Sequence, residues 1–196
     1  MARPKKAKTK SVKSMKKAVS KSTIKKIKKP VKTAKKPVKK SKKVLPLPKG
    51  YHNIIPHLVI DHAAKAIAFY KKVFGAKEIV RFDMSKDAVA YSELKIGVSH
   101  IMLSDPCPIK GTKSIATMGG SPMSIYLYVK NVDATLKTAI SAGAIVLRSA
   151  EDMFYGDRTA MFEDPFGYHW CIATCVENVT PATIRKRVAK LFGDKK

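Results

Sequence analysis

The first fifty residues contain no aspartate, no glutamate and no aromatic side chain, yet they hold 21 of the chain's 40 lysines and arginines. That imbalance excludes a folded unit there, because like charges repel along the stretch and its scattered Val, Ile and Ala offer little to bury. An uninterrupted apolar run is also missing from this region, which excludes a secretory signal. No stretch anywhere reaches the roughly 20 apolar residues that a membrane span needs. Arg3 is the tail's one arginine, against an Arg-rich mitochondrial presequence. Cysteine is scarce: Cys107, Cys171 and Cys175 make an odd set with no Cys-x-x-Cys pair. That speaks against a disulfide scaffold and for a reduced, cytoplasmic compartment.

What the chain has is a division of labour by charge. Of a formal net charge of +26 over 196 residues, all but a small surplus sits in residues 1–50. The chain therefore reads as a Lys-rich disordered tail (1–50), a domain (51–176) and a basic C-terminal helix (177–196) that Thr180-Pro181 opens. Within the tail, Lys28-Lys29-Pro30-Val31-Lys32 recurs as Lys35-Lys36-Pro37-Val38-Lys39, followed by Lys40. Proline at that interval blocks a continuous helix. The tail's composition is similar to that of linker-histone and bacterial histone-like tails. Lys28, Lys29, Lys32, Lys35, Lys36, Lys39 and Lys40 are its candidate contacts to nucleic acid or another polyanion. Such binding releases counterions and is non-specific, with Kd on the order of 10⁻⁴ to 10⁻⁶ M. Without aromatic residues the tail cannot stack on bases and reads no sequence. The alternative is a solubilising extension that touches nothing specific.

The domain repeats one pattern twice. Asn53–Ile60 has strand character, with Pro56 pointing to an edge or bulge. Asp61 is placed to cap a helix whose Ala63, Ala66, Ile67, Tyr70, Val73 and Phe74 share one face, and Gly75 stops it. Strands near 78–84, 88–96 and 98–104 follow. After a Gly-, Pro- and Ser-rich connector (106–122), Met123–Lys130 reads as a strand and Asn131 caps a helix that ends at Gly143. Strands near 145–150, 158–163 and 168–175 complete the copy. The modules span about 52–105 and 122–176, with Leu58 matching Leu127 and Gly97 matching Gly167.

The run Asp61–Ala76 (DHAAKAIAFYKKVFGA) and the run Phe154–Trp170 (FYGDRTAMFEDPFGYHW), set in a doubled β-α-β-β-β order, resemble the vicinal oxygen chelate superfamily of glyoxalase and bleomycin-resistance proteins. The Phe154–Arg158 run resembles a branch of small glyoxalase-like proteins. The resemblance implies an α+β fold in which two βαβββ modules curve a mixed sheet around a shared cavity, and pairing into a homodimer. Metal-using relatives hold their ion on the first and last strand of each module. The matching positions here are Ile55, Ile101, Ser124 and Cys171, a poor donor set for a hard divalent ion. No metal or other cofactor is expected.

Strand alternation then names the cavity lining. His57 and Val59 join Ile55, Ser99 flanks Ile101, Tyr126 and Tyr128 join Ser124, and His169 flanks Cys171. His100 and Trp170 fall on the other face. Arg158 can clasp a carboxylate or phosphate, or can simply pair with Asp157 or Glu163. The other candidates also have structural readings: a histidine satisfying a carbonyl, Cys171 as a small buried hydrophobe, tyrosines as walls. The lining suits a neutral or anionic small molecule. Two functions follow. In one, the domain binds a small molecule, with metal-independent lyase or isomerase activity or as a non-catalytic binder. In the other, a dimerising domain carries a working tail in a cytoplasmic, nucleoid-associated protein.

Overall fold

A computed structural model describes residues 44–193. The tail assignments at Lys28, Lys29, Lys32, Lys35, Lys36, Lys39 and Lys40 lie outside the described residues. The domain has the order β1 (His57–Val59), α1 (Ala63–Phe74), β2 (Lys77–Ser85), β3 (Ala88–Ile96), β4 (Ser99–Ser104), α2 (Ile115–Met118), β5 (Ser124–Tyr128), α3 (Val132–Ser141), β6 (Ile145–Asp152), β7 (Asp157–Glu163), β8 (His169–Cys175) and α4 (Pro181–Phe192). Two four-stranded mixed sheets result, ordered β1-β4-β3-β2 and β5-β8-β7-β6. In each, the first strand pairs in parallel with the last and the rest are antiparallel. The α+β fold of two βαβββ modules is thus present.

Local chemistry sets the helix ends. Asn131 Oδ1 accepts from Ala134 N at 2.9 Å and Thr180 Oγ1 from Thr183 N at 3.2 Å, while Pro181 occupies the first turn of α4. Asp61 does not cap α1. The N-cap is His62, held at φ 61°, and Asp105 reaches across from the end of β4 to do the work. Its Oδ1 accepts from His62 N at 2.8 Å and from Ala63 N at 3.3 Å. A carboxylate 42 residues away substitutes for the local cap, so spacing along the helix could not reveal it.

The helical sides of both sheets feed one core. Leu58, Leu94, Ile101 and Leu103 from the first sheet and Ala160, Phe162, Trp170 and Ile172 from the second are buried in a single cluster with α1 and α3. Phe74 lies against Trp170, ring centroids 4.5 Å apart, and Tyr70 lies 5.3 Å from the same indole. At the centre Asp164, 2% exposed, accepts four hydrogen bonds. They come from Tyr70 Oη (2.7 Å), Trp170 Nε1 (2.9 Å), Phe166 N (3.0 Å) and Tyr168 N (2.9 Å). Burial lifts its carboxyl above the ordinary range, and these donors oppose the rise.

α1 and α3 and their aromatic residues pack between the helical sides of the two sheets, and a recess of about 420 Å³ remains where residues of both modules meet, His100 and Tyr126 among them. Tyr126 and Tyr128 lie on the exposed face of the second sheet.

Candidate ligand-binding face

On the second sheet, register places Ser124 beside His169, Tyr126 beside Cys171 and Tyr128 beside Ala173. The next strand sets Thr159 against Ala173 and Met161 against Cys171. The expected residues Ser124, Tyr126, Tyr128, His169 and Cys171 therefore share the outward face. Tyr126 and Tyr128 both donate to Asp157 Oδ2, at 3.2 and 2.7 Å. Their rings lie 5.5 Å apart and remain 47% and 63% exposed, whereas Asp157 is buried. Burial, Tyr155 and Asp157 push the Tyr126 phenol up, and the bond to Asp157 with burial does the same for Tyr128. Both remain neutral donors at ordinary pH.

Beside them Arg148 crosses from β6. Its Nη2 donates to Thr159 Oγ1 at 3.0 Å, and its Nη1 to Glu151 Oε1 at 2.5 Å and to Met153 Sδ at 3.1 Å. Cys171 is 6% exposed; burial raises its thiol, and Arg148 tempers the rise. His169 Nε2 sits 3.1 Å from Glu163 Oε2, and Ser124 is exposed at its side.

The loop 153–156 borders this face and is tied down from behind. Gly156 adopts φ +97°, and its carbonyl accepts from Val176 N and Glu177 N, each at 2.9 Å. Arg187 on α4 donates to Phe154 O at 3.0 Å and clasps Glu177 at 2.7 and 2.8 Å. The C-terminal helix thereby positions the loop.

Arg158 does not belong to the face. It lies across from Thr174, one step out of phase with Asp157 and Thr159. Its Nε and Nη2 clasp Asp133 at 2.9 and 2.8 Å, and Nη1 holds Asp152 at 2.9 Å. It is paired, but with neither Asp157 nor Glu163.

The first sheet carries a second outward face and a phase correction. His57 pairs with Met102 and Val59 with Ser104. His57 Nε2 lies 3.1 Å from Ser104 Oγ, and burial, then Lys110, lowers its imidazole. Ile101 instead faces the helices, 4% exposed, and Ser99 has the same phase, exposed at the strand's start. His100 therefore shares the face of His57. The slip comes from unequal turns. Ile96 pairs with Ser99 across two residues, whereas Glu163 pairs with His169 across five, so matching Gly97 to Gly167 shifts β4 by one. Trp170 lies in the core, as its phase implied.

In true register the superfamily ligand positions hold Ile55, Met102, Ser124 and Cys171. Hydrocarbon, thioether, hydroxyl and a thiol of raised pKa do not fit a hard divalent ion. Among the described residues, no three His, Cys, Asp or Glu side chains converge as a metal site.

Paired βαβββ modules, each a four-stranded mixed sheet with its helix, define a glyoxalase-like fold. The chain belongs to the glyoxalase/bleomycin resistance protein/dioxygenase superfamily, whose family model matches residues 53–172. An uncharacterised Mycobacterium bovis protein is 41% identical over 127 residues, 63% of this chain and 84% of its own. An uncharacterised Arabidopsis thaliana protein is 30% identical over 115 residues, 55% of this chain and 69% of its own. The X-ray structure of an Arabidopsis thaliana gene product is similar at TM-score 0.51 and 26% identity, covering 63% of this chain and 98% of that one. TioX from a Micromonospora species has TM-score 0.50 at 18% identity over 63% and 98% of the two chains, a likeness of fold alone. Among the described residues, no helix is long and apolar enough to cross a membrane.

Proposed function

We propose that the domain binds a small molecule on the outward face of its second sheet, without the superfamily's divalent ion. The observation that carries this reading is the convergence of the exposed Tyr126 and Tyr128 on the buried Asp157, with Arg148 and the buried Cys171 beneath them. The tyrosines supply flat apolar area with a polar tip, and Arg148, ion-paired with Glu151, supplies a fixed guanidinium edge beside them. A flat molecule with one anionic or carbonyl group suits that combination. Asp157 orients the phenols and so keeps them from competing rotamers. A second copy of the chain is the proposed cover. Phe82 at 61% and Ile145 at 63% exposed border the outward faces, and burying such area stabilises association.

Native mass spectrometry of the full chain, purified gently from the organism that makes it, tests this reading. A bound small molecule is expected in the wild type and is expected to be lost in Tyr128→Phe and Asp157→Asn. Equal recovery from both folded variants overturns the assignment. Sedimentation is expected to show a dimer.

The tail favours a second, compatible role. Its lysine density is suited to phosphate backbones, and we infer that it tethers the domain to nucleic acid or another polyanion in a cytoplasmic setting. Changing Lys28, Lys29, Lys32, Lys35, Lys36, Lys39 and Lys40 to Gln is expected to cut the slope of log K against log salt on duplex DNA by up to about 6. An unchanged slope removes the tail from the contact.

A further inference from the structure

The first sheet holds a pair of ionisable side chains that the ligand face does not use. His100 Nδ1 lies 2.5 Å from Glu93 Oε1, and the two residues are 7% and 4% exposed. Tyr51 stacks on the imidazole with centroids 4.5 Å apart. Tyr91 Oη donates to Glu93 Oε2 at 3.3 Å. Burial works to raise the Glu93 carboxyl, but the Tyr51 hydroxyl nearby and the hydrogen bonds from His100 and Tyr91 more than offset it and hold it below the ordinary range. An ionised carboxylate fixed at Nδ1 selects the tautomer with its proton there and leaves a lone pair on Nε2. Among the described residues Nε2 has no partner, and no unpartnered side-chain nitrogen is sealed from solvent. The basic atom therefore keeps some contact with solvent although the side chain is largely buried.

His100 also borders open space. It is among the residues lining a recess of about 420 Å³ at the seam between the modules. Ile54, Ile96, Ile101, Ile125 and Leu127 form its apolar walls, and Ser99 and Tyr126 add polar heads. The volume falls within the range of about 300–1,000 Å³ usual for small-molecule sites. Apolar walls around a carboxylate-held imidazole are the elements of a proton-abstraction site.

We propose that His100 is a general base acting through Nε2 on a small, largely apolar carbon acid bound in this recess, with Glu93 as its positioning residue. In the step, the substrate C–H bond breaks and its proton forms an N–H bond at Nε2. The electron pair stays on the substrate, delocalised into an adjacent acceptor, and Glu93 stabilises the imidazolium. Return of the proton to another atom makes an isomerisation; departure of a leaving group makes an elimination.

The chromogenic probe 5-nitrobenzisoxazole separates this proposal from a structural pair. Proton abstraction from its C3 forms the nitrile as the ring N–O bond breaks, and the released 2-cyano-4-nitrophenolate absorbs visible light. The full-length wild type is expected to accelerate this elimination at least about a hundredfold over free imidazole at equal concentration, the lower end of general-base effects. His100→Gln is expected to fall to background. Glu93→Gln is expected to lose several-fold in kcat with little change in KM. Because removing a buried partner can unfold the chain, circular dichroism accompanies each variant. Long-range ¹H–¹⁵N correlation of wild-type His100 supplies a check that needs no variant. The Nδ1–H tautomer is expected. An Nε2–H tautomer, a wild type no faster than free imidazole, or a folded His100→Gln at full rate would each overturn the proposal.

Discussion

Asp164→Asn is the perturbation with the largest expected effect on stability. The change is nearly isosteric but replaces one acceptor oxygen with a donor. Wild-type Oδ2 accepts from Tyr70 Oη and Trp170 Nε1, and Oδ1 from Phe166 N and Tyr168 N. Whichever way the amide turns, its NH₂ faces two donors, and two charge-assisted bonds are lost. Each is worth about 1.5–3 kcal/mol, so the expected cost is about 3–6 kcal/mol. Against a typical total of about 5–15 kcal/mol, that is enough to bring the domain near unfolding at room temperature. Tyr70→Phe removes a single donor and is expected to cost about 1.5–3 kcal/mol. Urea unfolding of the full chain measures both, followed by far-ultraviolet circular dichroism and by Trp170, the only tryptophan. The double variant should cost less than the sum, since each change disrupts the same bond. A loss below about 1 kcal/mol for Asp164→Asn, at unchanged m-value, would refute the view that this carboxylate ties the modules together.

Gly156→Ala tests the loop. At φ +97° a Cβ would meet Glu177 O and Val179 Cγ2, and backbone strain alone is expected to cost about 1–3 kcal/mol, read as a lowered Tm. Cysteine alkylation tests the Cys171 environment. Exposed Cys175 should react with iodoacetamide well before buried Cys171, whose thiol is pushed up; mass spectrometry showing the reverse order would contradict that burial. Glu93→Gln tests pH linkage. The folded carboxyl lies below its ordinary 4.5, so the wild type's stability margin over the variant should be fully present above 4.5 and shrink as pH falls through the folded value. A margin that grows in acid would reverse the sign assigned to Glu93.

Chemistry that repeats locally was legible from the residues alone. The amphipathic α1, the Asn131 and Thr180 caps and the doubled strand order follow from spacing and turn residues, and the structure bears out that order. Side-chain phase was legible within a strand but not between strands. The second module kept its true phase, so Tyr126 and Cys171 were matched correctly. In the first module the turn after Ile96 is shorter than its counterpart after Glu163, which moved His100 to the wrong face. Arg148 lay beyond such reasoning for a different reason: register shifts between Val146 and Glu151 break alternation along β6. Asp157 sat within a quoted run, yet its role depends on two tyrosines about 30 residues away.

The direction in which each sheet turns is the deeper case. Alternation separates two faces without saying which of them meets the other module. Tyr70 decides it. Helical spacing marks it as a core residue, but its hydroxyl needs an acceptor once buried, and Asp164 of the other module provides one. A helix whose polar tip must reach the second sheet draws both helical faces inward. The polar faces are then left outside, where a ligand, a second copy or both can meet them. Phenylalanine at position 70 would keep the hydrophobic pattern and remove one of the bonds that join the modules, Tyr168 Oη with Val59 N and O supplying others. Its cost in unfolding therefore measures how much this bond adds to the join between the modules.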